Sequence, residues 1–214
     1  MPSQPLRADT SGLTEFSASQ NGRVTEADYV NRILDAAEAC LMERPMSAPL
    51  HARIAERAGL SRPTVYKYVG DQDQIFKALV ERGVRRYVEA VAPELSLQMP
   101  LRDHFAHLTA FSVGFFQSSP LMTAIMKHDG QRFLSWLAEE YQGVVRSAIA
   151  ALLPELQEQL PSTRQLPVPF EEILEWGVRI TIGLLIMPSA SRDLASTEVI
   201  EDYVKGFIDS FQRR

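Results

Sequence analysis

Apolar residues recur along the chain at three- and four-residue intervals, and no run alternates apolar with polar as a strand would, so the pattern predicts an all-α protein. Ile33, Ala36, Ala37, Cys40 and Leu41 form the first such face. Thr25 with Asp28 three positions on offers a reciprocal start signal for that helix, and Pro45 limits it. A short second helix is expected over residues 51–57, stopped at Gly59, whose missing Cβ suits the left-handed cap conformation. Ser61 is placed to cap a third helix over 62–68. Gly70 and Asp71 then end it and start a fourth, from 73 to about 91.

Pro93 and Pro100 punctuate the entry to a second, greasier region, with helices expected over 101–117, 120–128 and 132 to about 159. Pro161, Pro167 and Pro169 mark a loop, and two last helices follow over 170–187 and 198–212, separated by a turn at 188–193. The first twenty residues, with Pro2, Pro5 and several serines, read as a mobile arm rather than a signal peptide. The longest uncharged apolar runs fall well short of the ~20 residues a membrane span needs. No membrane association is expected. Cys40, the single cysteine, reads as a small core hydrophobe. With no partner thiol and no leader, the expected location is cytoplasmic.

The run from Ile54 to Val69 carries the function, because its spacing fits a helix-turn-helix. Ile54, Ala58 and Leu60 can pack inward, and Val65 and Val69, four apart, share the buried face of the next helix. Pro63, Thr64 and Lys67 then point away from that core, flanked by Arg62 and Tyr66. A recognition helix must be thin at its leading end and rich in donors to enter a major groove about 12 Å wide. Arg62 can reach a guanine edge with two hydrogen bonds, and Thr64, Tyr66 and Lys67 offer groups suited to phosphate oxygens. The formal net charge of −5 would argue against nucleic acid, but the charge is polarised. Residues 44–68 carry five cations against Glu56 alone, whereas residues 91–214 carry 10 basic and 15 acidic side chains.

Residues 30–80 resemble the DNA-binding domain of the tetracycline repressor (TetR) family. The matching features are Ala36-Ala37, Ile54-Ala55 followed by Ala58-Gly59, then Ser61, Pro63-Thr64, Tyr66 and the Gly70 junction. The resemblance implies an all-α architecture: a three-helix helix-turn-helix domain joined by a long helix to a helical ligand-binding and dimerisation bundle. The corresponding division is an arm over 1–22, a DNA-binding domain over 23–72 and a sensor over 73–214. It implies a homodimer on a pseudo-palindromic operator in double-stranded DNA, contacted by Ser61, Arg62, Pro63, Thr64, Tyr66, Lys67, Tyr68 and Gln72. Pro45, Leu50 and Gln72 depart from the glycine, threonine and lysine usual in the family. The missing cation should lower the slope of affinity against salt by about 0.9.

Large side chains crowd the second region, and Phe105, Phe111, Phe115, Met122, Met126, Trp136, Trp176 and Arg179 are the candidates for a site holding an apolar effector. Ordinary core packing is the competing explanation for each aromatic. Arg146 and Asp103 are further candidate polar anchors. His104, His107 and His128 with Asp129 raise the question of a metal, but no cysteine or HExxH pattern accompanies them, so neither metal nor cofactor is expected. Ile173, Ile180, Leu184, Tyr203 and Phe207 are candidates for the dimer face, with Gly177, Gly183 and Gly206 allowing close helix approach. The expectation is a repressor released by a small apolar ligand. Ligand-independent or ligand-activated regulation on the same fold remains open, while no GxSxG elbow or phosphate-binding glycine loop speaks for an enzyme.

Overall fold

Thr25 opens the first helix as its pattern predicts: its side chain accepts from the Asp28 amide, and the Asp28 carboxylate accepts from the Thr25 amide at 2.8 Å. This computed structural model describes residues 25–45, 49–159, 168–187 and 189–212, with only the backbone of 155–159. The expected arm over 1–22, the loop at Pro161 and Pro167, and Pro188 in the last turn lie outside the described residues. Within them the chain forms α1 (Glu26–Glu43), α2 (Leu50–Ala58), α3 (Arg62–Val69), α4 (Gln72–Leu95), α5 (Leu101–Gln117), α6 (Pro120–Gln159), α7 (Phe170–Ile186) and α8 (Thr197–Gln212). No strand occurs among the described residues. None of their helices is long and apolar enough to cross a membrane.

The first three helices close around Ile33, Leu34, Ala37, Leu41, Ile54, Ala58 and Val65. That core does not end at α3. Ile75, Phe76 and Leu79 of α4 and Ile125, Phe133 and Leu137 of α6 join it, so the helix-turn-helix sits directly on the second region. Phe76 meets Trp136 edge to face at 4.7 Å between ring centres, a geometry the ring quadrupoles favour.

One helix runs past its expected end. α4 was expected to end near residue 91 but continues through Pro93 to Leu95. A proline in the last turn removes one helical N–H. Val91 and Leu95 on either side are almost wholly buried against Leu152 and Phe170, and burial of two such side chains is worth about 1.5–3 kcal/mol each. α6 comprises the two expected helices, joined across a kink at Asp129, where φ −136° and ψ 23° leave the helical region.

α5 forms the spine of the second region. Ala106, Ala110 and Val113 present a narrow face, against which Ile200 and Val204 of α8 pack. Gly114 continues that face: a Cβ there would stand 2.7 Å from the Thr197 methyl, so the start of α8 can come this close only to a glycine.

Candidate functional site

Gly59 takes φ 59° and ψ 39°, the left-handed conformation that turns the chain sharply between α2 and α3. Ser61 then caps α3 by accepting from the Thr64 amide, and its hydroxyl lies 2.6 Å from that of Thr64. Both hydroxyls are therefore engaged in the cap. Val65 and Val69 are buried, which turns Arg62, Pro63, Tyr66 and Lys67 outward on the opposite, exposed face. Thr64 and Tyr68 are half-buried, and Gln72 is a half-buried residue opening α4.

Aromatic stacking fixes the angle of this face. Tyr66, 52% exposed, lies flat on His51 of α2, with ring centres 4.0 Å apart and planes within 3°. The His51 Nε2–H donates to the Gly70 carbonyl at 3.0 Å, tying α2 to the α3–α4 junction. On the other flank Tyr68 stacks on Tyr29 of α1 at 4.9 Å, and the Lys67 ammonium sits 5.0 Å over the Tyr68 ring. His51 and Tyr29 went unnoticed in the sequence, because neither belongs to an apolar stripe and their partners are distant along the chain.

The local excess of cations is partly consumed by the scaffold. Arg53 donates to the carbonyls of Cys40 and Pro45, pinning the end of α1, and Arg57 pairs with Glu43 at 2.5 Å. Arg44, Arg62 and Lys67 remain on the exposed surface. Leu50, where the family usually has threonine, is buried and adds to the core. Cys40 is likewise buried, and burial pushes its thiol pKa up, which keeps it protonated.

A cavity of about 660 Å³ lies between α4, α5, α6 and α7. Its size is that of a small-molecule site. Phe105, Phe115, Met122, Met126 and Trp136 line it, as do Phe116, Tyr87 and His104. Three sequence candidates do not. Phe111 packs instead with Val91 and Leu95, Trp176 is 63% exposed, and Arg179 reaches outward to Glu175 and over the Tyr141 ring. Asp103 is taken up by Arg102 at 2.5 Å, and Arg146 is exposed.

The wall of the cavity touches the helix-turn-helix half. Glu38 of α1 and Arg86 of α4 are both lining residues, 3.0 Å apart. Arg82, its side chain 9% exposed, bridges Asp35 at 2.6 Å and Glu38 at 2.5 Å. His107, away from the cavity, lies between the carboxylates of Glu94 at 2.7 Å and Glu201 at 3.3 Å. His128 does not join them: no three metal-binding side chains converge among the described residues.

The outer surface of α7 and α8 carries a further apolar group. With Ile200 and Val204 turned toward α5, the other face of α8 exposes Tyr203, Phe207 and Phe211, and α7 adds Trp176. Ile180 is half-buried. Ile173 lines the cavity and Leu184 packs into the α5–α8 core, so these two candidates for the dimer face point into their own chain. Gly177 also faces inward, toward Phe105, while Gly206 opens onto empty space.

A rigid helix-turn-helix with a cationic outward face, mounted on a helical body with an internal cavity, defines a DNA-binding regulator of transcription. Residues 33–79 match the family described as "Bacterial regulatory proteins, tetR family". The match runs from α1 into α4 and so covers the helix-turn-helix. It is 25% identical over 158 residues to an uncharacterized HTH-type transcriptional regulator of Mycobacterium tuberculosis, covering 74% of this chain and 75% of the relative. It is 30% identical over 107 residues, half of each chain, to the HTH-type transcriptional regulator BetI of Yersinia pestis. Among solved structures, its fold resembles the repressor QsdR of R. erythropolis, with TM-score 0.61, 19% identity and coverage of 85% and 94%. It also resembles the repressor AlkX of a Dietzia strain, with TM-score 0.58, 20% identity and coverage of 83% and 95%.

Proposed function

We propose that the protein is a homodimeric repressor that holds a pseudo-palindromic operator and is released from it by a small, largely apolar molecule bound in the second region. The 660 Å³ cavity, walled by aromatic and aliphatic side chains and touching α1 through Glu38, carries this reading. A ligand that changes the shape of this cavity must act on α4 and α6, which share one core with the helix-turn-helix. Linkage then sets the sign: a molecule that binds better to a state with wrongly spaced recognition helices opposes DNA to the same extent that DNA opposes it. The structural relative AlkX is described as implicated in biodegradation of n-alkanes, and another solved relative, FadR of Bacillus halodurans, as a fatty acid degradation regulator. Both names speak of greasy molecules, in keeping with this lining.

In this reading the DNA-binding domain covers residues 23–72 and the sensor and dimerisation domain 73–214. Arg62 reads base edges. Ser61, Pro63, Thr64, Tyr66, Lys67, Tyr68 and Gln72 set the docking of α3 on the backbone. Selection of bound sequences from a random duplex library by the full-length protein tests the reading. A two-fold symmetric motif is expected, with half-sites about 34–36 Å apart or a multiple of that, and apolar molecules should release it. Recovery of no motif, or of a motif from which no cavity-binding molecule releases the protein, would refute it.

A further inference from the structure

Three polar side chains on the cavity wall, Thr109, Ser112 and Tyr87, have a common character. Thr109 donates its hydroxyl hydrogen to the Phe105 carbonyl at 2.8 Å, and Ser112 donates to the Leu108 carbonyl at 2.6 Å. The Tyr87 hydroxyl lies 2.6 Å from that of Ser112 and, since the Ser112 hydrogen is committed, donates to it. What these three side chains still offer is oxygen lone pairs. The formal charges on the described lining are those of Glu38 and Arg86, which neutralise one another. A carboxylate or phosphate brought inside would find neither a free cation nor a free hydroxyl hydrogen on these groups, and a buried charge without a partner is costly.

His104 breaks the pattern of satisfied groups. Its side chain is 1% exposed and lines the cavity. Nε2 stands 3.1 Å from the Glu94 carbonyl, which can only accept, so Nε2 carries the hydrogen. Nδ1 is then the bare nitrogen, and it is buried with no hydrogen-bond partner. Burial also pushes the pKa of this imidazole down, which keeps Nδ1 a lone-pair acceptor at neutral pH. Buried polar groups in folded proteins are nearly always paired, and an unpaired one at the edge of an apolar cavity marks where a ligand group belongs.

We propose that the cavity takes a neutral, mostly hydrocarbon molecule bearing a single hydrogen-bond donor, an O–H or N–H group, and that His104 Nδ1 receives this donor. The inference rests on reading the cavity as the effector site and names the chemistry of what fills it.

Three probes sharing one chain separate the possibilities: 1-dodecanol, its methyl ether, and dodecanoate, each displacing the neutral dye Nile red from the full-length protein. The alcohol is expected to bind at least tenfold tighter than either of the others, because only it is neutral and donates. In His104→Phe that advantage should shrink to within threefold, with the ether's affinity kept. Selective 15N labelling of histidine gives a readout that needs no variant: the Nδ1 resonance of His104 should shift with the alcohol and hold still with the ether. Equal binding of alcohol and ether, preference for dodecanoate, an unmoved His104 resonance, or failure of all three to displace the dye would each overturn the proposal. The release reading fails separately, if the alcohol binds as expected and the operator complex survives it.

Discussion

At the scale of single residues, Arg62 and Lys67 separate specificity from affinity. Arg62 is exposed at the first position of α3, where a guanidinium can meet the O6 and N7 acceptors of guanine with two bonds. Arg62→Ala is therefore expected to cost about 1–3 kcal/mol on the preferred operator and little on other duplexes. Lys67 faces the same way, parked over Tyr68. Lys67→Ala should weaken all duplexes alike and lower the salt slope by about 0.9. Operator titrations across salt concentrations distinguish the two, and unchanged binding by both variants would rule out α3 as the reading helix. His104 supplies a pH prediction. Burial depresses its folded pKa from the ordinary 6.5, the Glu94 carbonyl opposing this and His107 adding to it, so below that value the unfolded chain takes up a proton that the native one refuses. Its contribution to stability is complete above pH 6.5 and is lost as the pH falls toward the depressed value. Melting temperatures should decline over that interval in the wild type, and less steeply in His104→Phe.

At the scale of elements, the tightest constraint is the junction of α3 and α4. Gly70 adopts φ 71° and ψ −147°, a region closed to residues with a Cβ, and a Cβ there would fall 1.8 Å from the Gln74 side-chain oxygen. That oxygen accepts from the Asp71 amide and closes the cap of α4. Gly70→Ala is thus expected to destabilise the protein by about 1–3 kcal/mol, measured by urea unfolding. Such signals were legible in the sequence because they are local: Thr25 with Asp28, Gly59, Ser61 and Gly70 each act within a few residues. Helix ends set by distant packing were not. Pro93 reads as a stop until Leu152 and Phe170 are seen holding Val91 and Leu95 in the last turn of α4. The orientation of α7 was legible in part: Glu171, Glu175 and Arg179 recur at four-residue spacing and mark its outward face, whereas Trp176 beside them reads as core and is 63% exposed. The crowd of aromatics on α5 and α6 announced a greasy interior, yet the polar group left unpaired at its edge depends on Glu94, ten residues from His104 and on a different helix.

At the scale of the whole molecule, the outer apolar faces of α7 and α8 are where we propose that two copies of the chain pair. Trp176, Phe207 and Phe211 are each more than half exposed, and the Phe207 and Phe211 rings, 5.0 Å apart between centres, form an open apolar patch on α8. The proposed two-fold dimer buries this patch against its own copy. A single chain would present one recognition helix, and a palindrome then offers it no more than a half-site. Phe207→Glu places a carboxylate on the patch and, by symmetry, a second one close to it, so burial would require two like charges to lose their water. Its side chain projects away from the α5–α8 core at Ile200 and Val204, so the fold itself should survive the change. The expected outcome is a monomer by sedimentation at micromolar concentration, and at least a tenfold loss of operator affinity, about 1.4 kcal/mol. Nile red binding in the cavity should persist, because the cavity is walled by α4 to α7 and Glu38 of α1, all from one chain. A variant that still sediments as a dimer and holds the operator as the wild type does would move the interface elsewhere on the molecule.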